Sequence, residues 1–199
     1  MASTRAMPQL QGRAASMARS LAVAVRGAGL SDFEVAAVER IFALAMEPRI
    51  AMLDDDHHPA YLHPGRSVLI LLQDVGCIDV GTLVVAAIHE SVDGLLRIPD
   101  DRLEHYMGEG EFVALGTIPI PGEERLLEKL VTLKTGTALA ALAERLDHLR
   151  HLHLRDDLRD SWRGAHQEVL ETWLPFSHRI HPRLATRFEY WTRRFAKRI

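Results

Sequence analysis

Between Val80 and Val92 the chain reads Val-Gly-Thr-Leu-Val-Val-Ala-Ala-Ile-His-Glu-Ser-Val. Leu83, Val84, Ala86, Ala87 and Ile88 leave a helix here apolar almost all round, which marks a central helix of a helical core. His89 and Glu90 sit inside this helix. Ionisable groups entering such a core are costly unless they are paired or bound to something. A fold for this chain must therefore wrap the segment and give both side chains partners.

The rest of the sequence supplies helices to do so. Ser31-Asp32-Phe33-Glu34 is a capping box that opens a helix through about Met46. Pro48 to His63 reads as a polar loop, and Pro64 starts a helix that Gly76 ends. Pro99-Asp100-Asp101 caps a short helix ending near Gly108. Glu111 to Pro121 reads as an extended loop or small strand, from Val113, Leu115, Ile118 and Ile120. Helices are expected over Glu123 to Leu133, Thr135 to Leu154, Ser161 to Phe176 and Pro182 to Lys197. Residues 1–30 read as an N-terminal arm or short helix, and 31–199 as the main domain. The expectation is an all-α, single-domain helical bundle.

Composition narrows the function classes. The chain has 199 residues, enough for one domain with a real core. A net charge of −3 gives no global drive toward nucleic acid, and no basic recognition helix stands out. The single cysteine, Cys77, excludes an internal disulfide and fits a reducing, cytoplasmic compartment. No apolar run reaches the roughly 18 residues of a membrane span. The stretch Leu21 to Val25 is too short for a signal-peptide core. Neither nucleic acid nor membrane is an expected partner, and the sequence does not give the oligomeric state.

Histidine is the unusual feature. Of 11 histidines, six fall between His57 and His63 or between His148 and His153. Glu144, Asp147, His148 and His151 recur at i, i+3, i+4 and i+7, on one face of a helix. Such a stripe is ordinarily a solvated surface. His63, His89, Glu90 and Glu144 together would make a nitrogen/oxygen site for one divalent metal. Mixed imidazole and carboxylate ligation suits manganese foremost, with iron or zinc as alternatives.

The order of the motifs adds a resemblance. Tyr61-Leu62-His63-Pro64 comes first, then Ala86-Ala87-Ile88-His89-Glu90-Ser91-Val92-Asp93, then Leu142-Ala143-Glu144-Arg145-Leu146. Trp173-Leu174-Pro175-Phe176-Ser177-His178-Arg179-Ile180 follows. Over about Met46 to Trp191 this resembles the HD superfamily of metal-dependent phosphohydrolases. It is most similar there to the small stand-alone form of the RelA/SpoT-type hydrolases of the alarmone ppGpp. The resemblance implies an HD-fold bundle, a metal held by His63, His89, Glu90 and Glu144, and hydrolysis of a phosphorylated nucleotide. It also implies catalytic roles for Glu90 and for Asp93, one turn on, which would orient or deprotonate the attacking water. Arg145, His148, Arg150, His151 and Lys134 are the candidate substrate-binding residues.

The departures are specific. Glu90 and Glu144 stand where the family has aspartates, keeping charge and adding a methylene. Asp93-Gly94 stands for a Glu-Asp pair, so the second carboxylate is missing. Asp54 replaces a basic group used against the guanine base, and His148 replaces an asparagine that holds the nucleoside. These substitutions imply slow ppGpp turnover, with a different or smaller phosphorylated compound at least as good. The alternative is a catalytically silent HD-fold protein that binds a nucleotide or a protein partner.

Overall fold

The computed structural model describes residues 8–92 and 94–199. It is all-helical, with no strand among the described residues. The helices run α1 Gly12–Gly27, α2 Asp32–Met52, α3 His63–Ile70, α4 Val80–Ile88, α5 Asp100–Tyr106 and α6 Glu109–Leu115. They continue with α7 Leu126–Leu130, α8 Thr135–His151, α9 Trp162–Glu168, α10 Leu174–Ile180 and α11 Pro182–Phe195. Wider, π-type turns extend α3 over Leu71–Val75 and join α9 to α10 over Val169–Trp173.

The apolar segment is central, as its composition requires. Every residue from Thr82 to Ile88 is buried, and α4 packs on α2, α3, α6 and α8. α1 is no free arm: Ala14, Leu21, Ala22 and Val25 are buried in the same core. It lies so close to α3 that a Cβ on Gly65 would sit 2.5 Å from Met17 Cγ. α11 closes the far side, where the Trp191 indole donates to the Leu149 carbonyl at 2.7 Å. No helix among the described residues is long and apolar enough to cross a membrane.

Local structure departs from the sequence expectation in four places, each with a physical cause. α2 does not stop near Met46 but runs to Met52 with Pro48 inside it. Proline removes a helical donor there, but the next residue, Arg49, is fully buried and anchors the last turns. The central helix ends its regular course at Ile88 and tightens into a 3₁₀ turn over His89–Ser91. Three residues per turn set the His89 and Glu90 side chains about 120° apart.

Residues 111–115, the first part of the stretch read as loop or strand, belong to α6. Glu109 and Glu111 in its first turn complement the helix N-terminus, and Leu115 turns inward while Val113 faces out. The helix expected from Glu123 is shortened to α7. Ile120-Pro121-Gly122-Glu123 forms a turn instead, with the Glu123 N–H donating to the Ile120 carbonyl at 3.2 Å. Gly122, at φ 84°, supplies the left-handed residue that turn needs.

Candidate metal centre

Three elements bring four side chains to one point. His63 opens α3, behind Pro64 at a favoured first-turn position. Glu90 projects from the 3₁₀ turn after α4, and Glu144 and His148 lie one turn apart on α8. One ligating atom from each of these four lies within 4.8 Å of the other three. Donors on a single tetrahedral ion at about 2.0–2.1 Å stand about 3.4 Å apart, so the widest pairs would close by about an ångström around one.

The stripe on α8 is therefore not a solvated face. Glu144 is 5% exposed and Asp147 1%. Asp147 accepts from His63 Nδ1 at 2.8 Å and from Arg66 through both carboxylate oxygens, at 2.8–3.0 Å. Burial works to raise the Asp147 carboxyl, but His63 and Arg66 hold it well below the usual range. An ionised Asp147 only accepts, so the His63 proton sits on Nδ1 and Nε2 is left to face the cluster. This is the arrangement in which a second carboxylate fixes the ring of a metal-ligating histidine.

Glu90 is anchored from behind. The Arg49 guanidinium pairs with its Oε2, and also donates to the carbonyls of Ala45 at 2.7 Å and Ala60 at 3.1 Å. His148 Nε2 lies between the two carboxylates, 2.6 Å from Glu90 Oε1 and 2.9 Å from Glu144 Oε1. Burial works against charge on His148, but Glu144 and Glu90 raise its pKa far above the ordinary imidazole value. Burial likewise opposes ionisation of Glu90 and Glu144. For Glu90, His63, His148 and Arg49 outweigh it; for Glu144, His148, His89 and His63 do.

His89 stands at the edge. Burial drives its pKa down, so the ring is neutral. Its Nδ1 is buried without a hydrogen-bond partner, 4.0 Å from Glu144 Oε1. His63 Nε2 is also 4.0 Å from that oxygen. A neutral imidazole with an orphaned buried nitrogen beside two carboxylates is a donor set that a divalent cation completes.

The cluster forms part of the wall of a cavity of about 780 Å³. Arg145, His148 and His151 of the sequence candidates line it. Arg145 is already paired with Glu168 at 2.8 Å, and His151 Nδ1 bonds the Asp147 carbonyl at 2.8 Å. Lys134 and Arg150 do not line this cavity. Lys134 is exposed at the start of α8, about 15 Å along the helix from Glu144 at 1.5 Å per residue. Arg150 is exposed and opens onto a separate surface cleft with Arg187. Asp93 lies outside the described residues.

Sequence reasoning placed His63, His89, Glu90 and Glu144 together; the structure brings His63, Glu90 and Glu144 together with His148 and leaves His89 at the edge. Sequence reasoning assigned His148 to substrate and gave no role to Asp147, Arg66 or Arg49. Asp147 was visible on the stripe, but its partners are 81 and 84 residues away in sequence. No family model and no curated protein matches the chain.

Proposed function

We propose that the chain is a metal-dependent phosphohydrolase of the HD type. The observation that carries this reading is the convergence of His63, Glu90, Glu144 and His148, the last three at the wall of an open cavity, with the orphaned His89 nitrogen 4.0 Å from Glu144. Both carboxylates would hold the ion, with imidazole nitrogens from His63 and His148 and from His89 after a small shift. A divalent ion there supplies Lewis-acid polarisation of a phosphoryl oxygen and acidifies a water. Mixed nitrogen and oxygen donors suit manganese, with iron or zinc as alternatives.

The protein's own residues do the positioning. Asp147 holds His63 in one tautomer, and Arg49 fixes the Glu90 carboxylate against α2. Arg145, kept in place by Glu168, lines the cavity. His148 gives up its proton when it becomes a ligand, since only neutral imidazole binds a metal. In hydrolysis, water adds to phosphorus, the P–O bond to the leaving group breaks, and the leaving oxygen takes up a proton. Asp93 is proposed to orient that water.

The test is metal analysis of protein purified without chelator, followed by a manganese-loaded hydrolysis panel of ppGpp and nucleoside mono-, di- and triphosphates. One equivalent of tightly held metal and phosphate or pyrophosphate release are expected. A second reading, a metal-free binding protein, is favoured by one observation: His148 and Arg49 already set two positive charges against Glu90 and Glu144. No metal uptake and no turnover would select it.

A further inference from the structure

The walls of the cavity speak to what enters it. Leu115, Ile118, Leu149 and Leu152 line it, and Ile120 and Leu158 carry the apolar surface outward, 55% and 38% exposed. The cations on the same walls are committed. Arg66 is bound to Asp147, Arg145 to Glu168 at 2.8 Å, and Arg155 to Asp157 at 2.6 Å. Glu90, Glu123, Glu144 and Asp147 also line the cavity. A ligand with two pyrophosphate groups would meet these carboxylates with no free lysine or arginine, whereas an apolar body would displace water from leucine and isoleucine side chains.

We propose that the cavity binds a phosphate monoester of an apolar alcohol, with its single phosphoryl group at the His63/Glu90/Glu144/His148 cluster and its aliphatic or aromatic body along the Leu115–Ile120 and Leu149–Leu158 walls. This rests on the phosphohydrolase reading and names its substrate class. The volume, about 780 Å³, falls in the range of small-molecule sites. One phosphoryl group needs little more than the ion. Hydrolysis would convert the ester and one water into the free alcohol and inorganic phosphate.

The test uses a ladder of straight-chain alkyl phosphates from ethyl to octyl, with 1-naphthyl phosphate, against ppGpp, GDP and pyrophosphate. Binding to the full chain is measured by calorimetry with and without manganese, and phosphate release is measured separately. Each methylene leaving water favours binding by roughly three- to fourfold when fully buried. Octyl phosphate is therefore expected to bind at least tenfold more tightly than ethyl phosphate, and more tightly than ppGpp. Ile120→Lys and Leu158→Glu, both at exposed positions where folding is little affected, should flatten the ladder.

An affinity independent of chain length overturns the proposal, as does tighter binding of ppGpp than of octyl phosphate. The two readings fail separately. Rapid ppGpp turnover with a flat ladder keeps the hydrolase and removes the apolar substrate. A steep ladder without metal uptake or phosphate release keeps the apolar cavity as a binding site and removes the hydrolase.

Discussion

Glu144 and Asp147 stand three residues apart on α8, both buried and both held below the ordinary carboxyl range. Their partners differ in kind. Asp147 is saturated by protein: two-point contact from Arg66 and the His63 Nδ1–H, all within 3.0 Å. Glu144 has one close partner, His148, while His63 and His89 stand 4.0 Å off, beyond hydrogen-bond range. Two donors on a shared tetrahedral ion with bonds of about 2 Å would stand about 3.4 Å apart, a short closure from there. One carboxylate finishes a scaffold. The other has one close protein partner, and is the carboxylate that the proposed ion would reach.

This contrast orders the expected effects on stability. Asp147→Ala should cost most. It leaves the His63 N–H without its acceptor and the partly buried Arg66 uncompensated, and breaking a buried ion pair from one side costs about 3–5 kcal/mol. Urea unfolding of the metal-free protein measures this. A loss below that of Glu144→Gln would invert the comparison.

Arg49→Met comes next, at about 1.5–3 kcal/mol for a lost charged hydrogen-bond partner, because His148 still faces Glu90. Here the proposed ion should show itself. Added manganese should restore part of the lost Tm by supplying the charge that Glu90 lost. The same titration should recover none for Asp147→Ala.

A pH profile is the third way to test the comparison. Glu90, Glu144 and Asp147 have lowered values, so their stabilisation is whole above the ordinary carboxyl values of 4.5 and 3.8. It is lost as pH falls through the folded values. His148 is raised, so its stabilisation is whole below 6.5 and lost as pH rises toward the folded value. His89 and His151 are lowered, so each costs stability once pH falls below 6.5, and the metal-free Tm should therefore peak near pH 6.5. The alkaline arm should be the shallower, because the His148 side chain is 36% exposed and solvent screens it. With excess manganese the alkaline loss should vanish, since binding releases that proton. An alkaline arm unchanged by metal would place His148 outside the ligand set.

How far the sequence reached follows from the range of each interaction. Helices with strong punctuation were readable: the Ser31–Glu34 capping box forms as written, and Gly76 ends the helical run after α3 at φ 74°. Residues 111–115 misled because alternating Val113 and Leu115 suggest a strand, while the acidic first turn that favours a helix carries less weight by eye. In the site, the spacing of His63, Glu90 and Glu144 was legible because local motifs carry them. The function of His148 was not, since it depends on Glu90 reaching it from α4. The contacts that tie Arg49, Arg66 and Asp147 to the site run to partners 41 to 84 residues away. No local pattern reports such contacts.

The smallest effect on stability, and the sharpest test, belongs to Glu144→Gln. The amide is isosteric, stays buried, and can still accept from His148. It keeps the hydrogen bond and gives up only the charge, so unfolding without metal should lose no more than the low end of the roughly 1.5–3 kcal/mol of a charged hydrogen bond. The metal response should change far more. Wild-type protein with manganese at 100 times its Kd should gain about 2.7 kcal/mol from binding the folded state alone. The variant should gain almost nothing at the same concentration, because a neutral amide is a poor ligand and His148 then keeps its proton for Glu90. Isothermal titration and thermal shift read both quantities from one preparation. If Glu144→Gln unfolds as readily as Asp147→Ala while its manganese titration is unchanged, the two acids are equivalent parts of one buried scaffold.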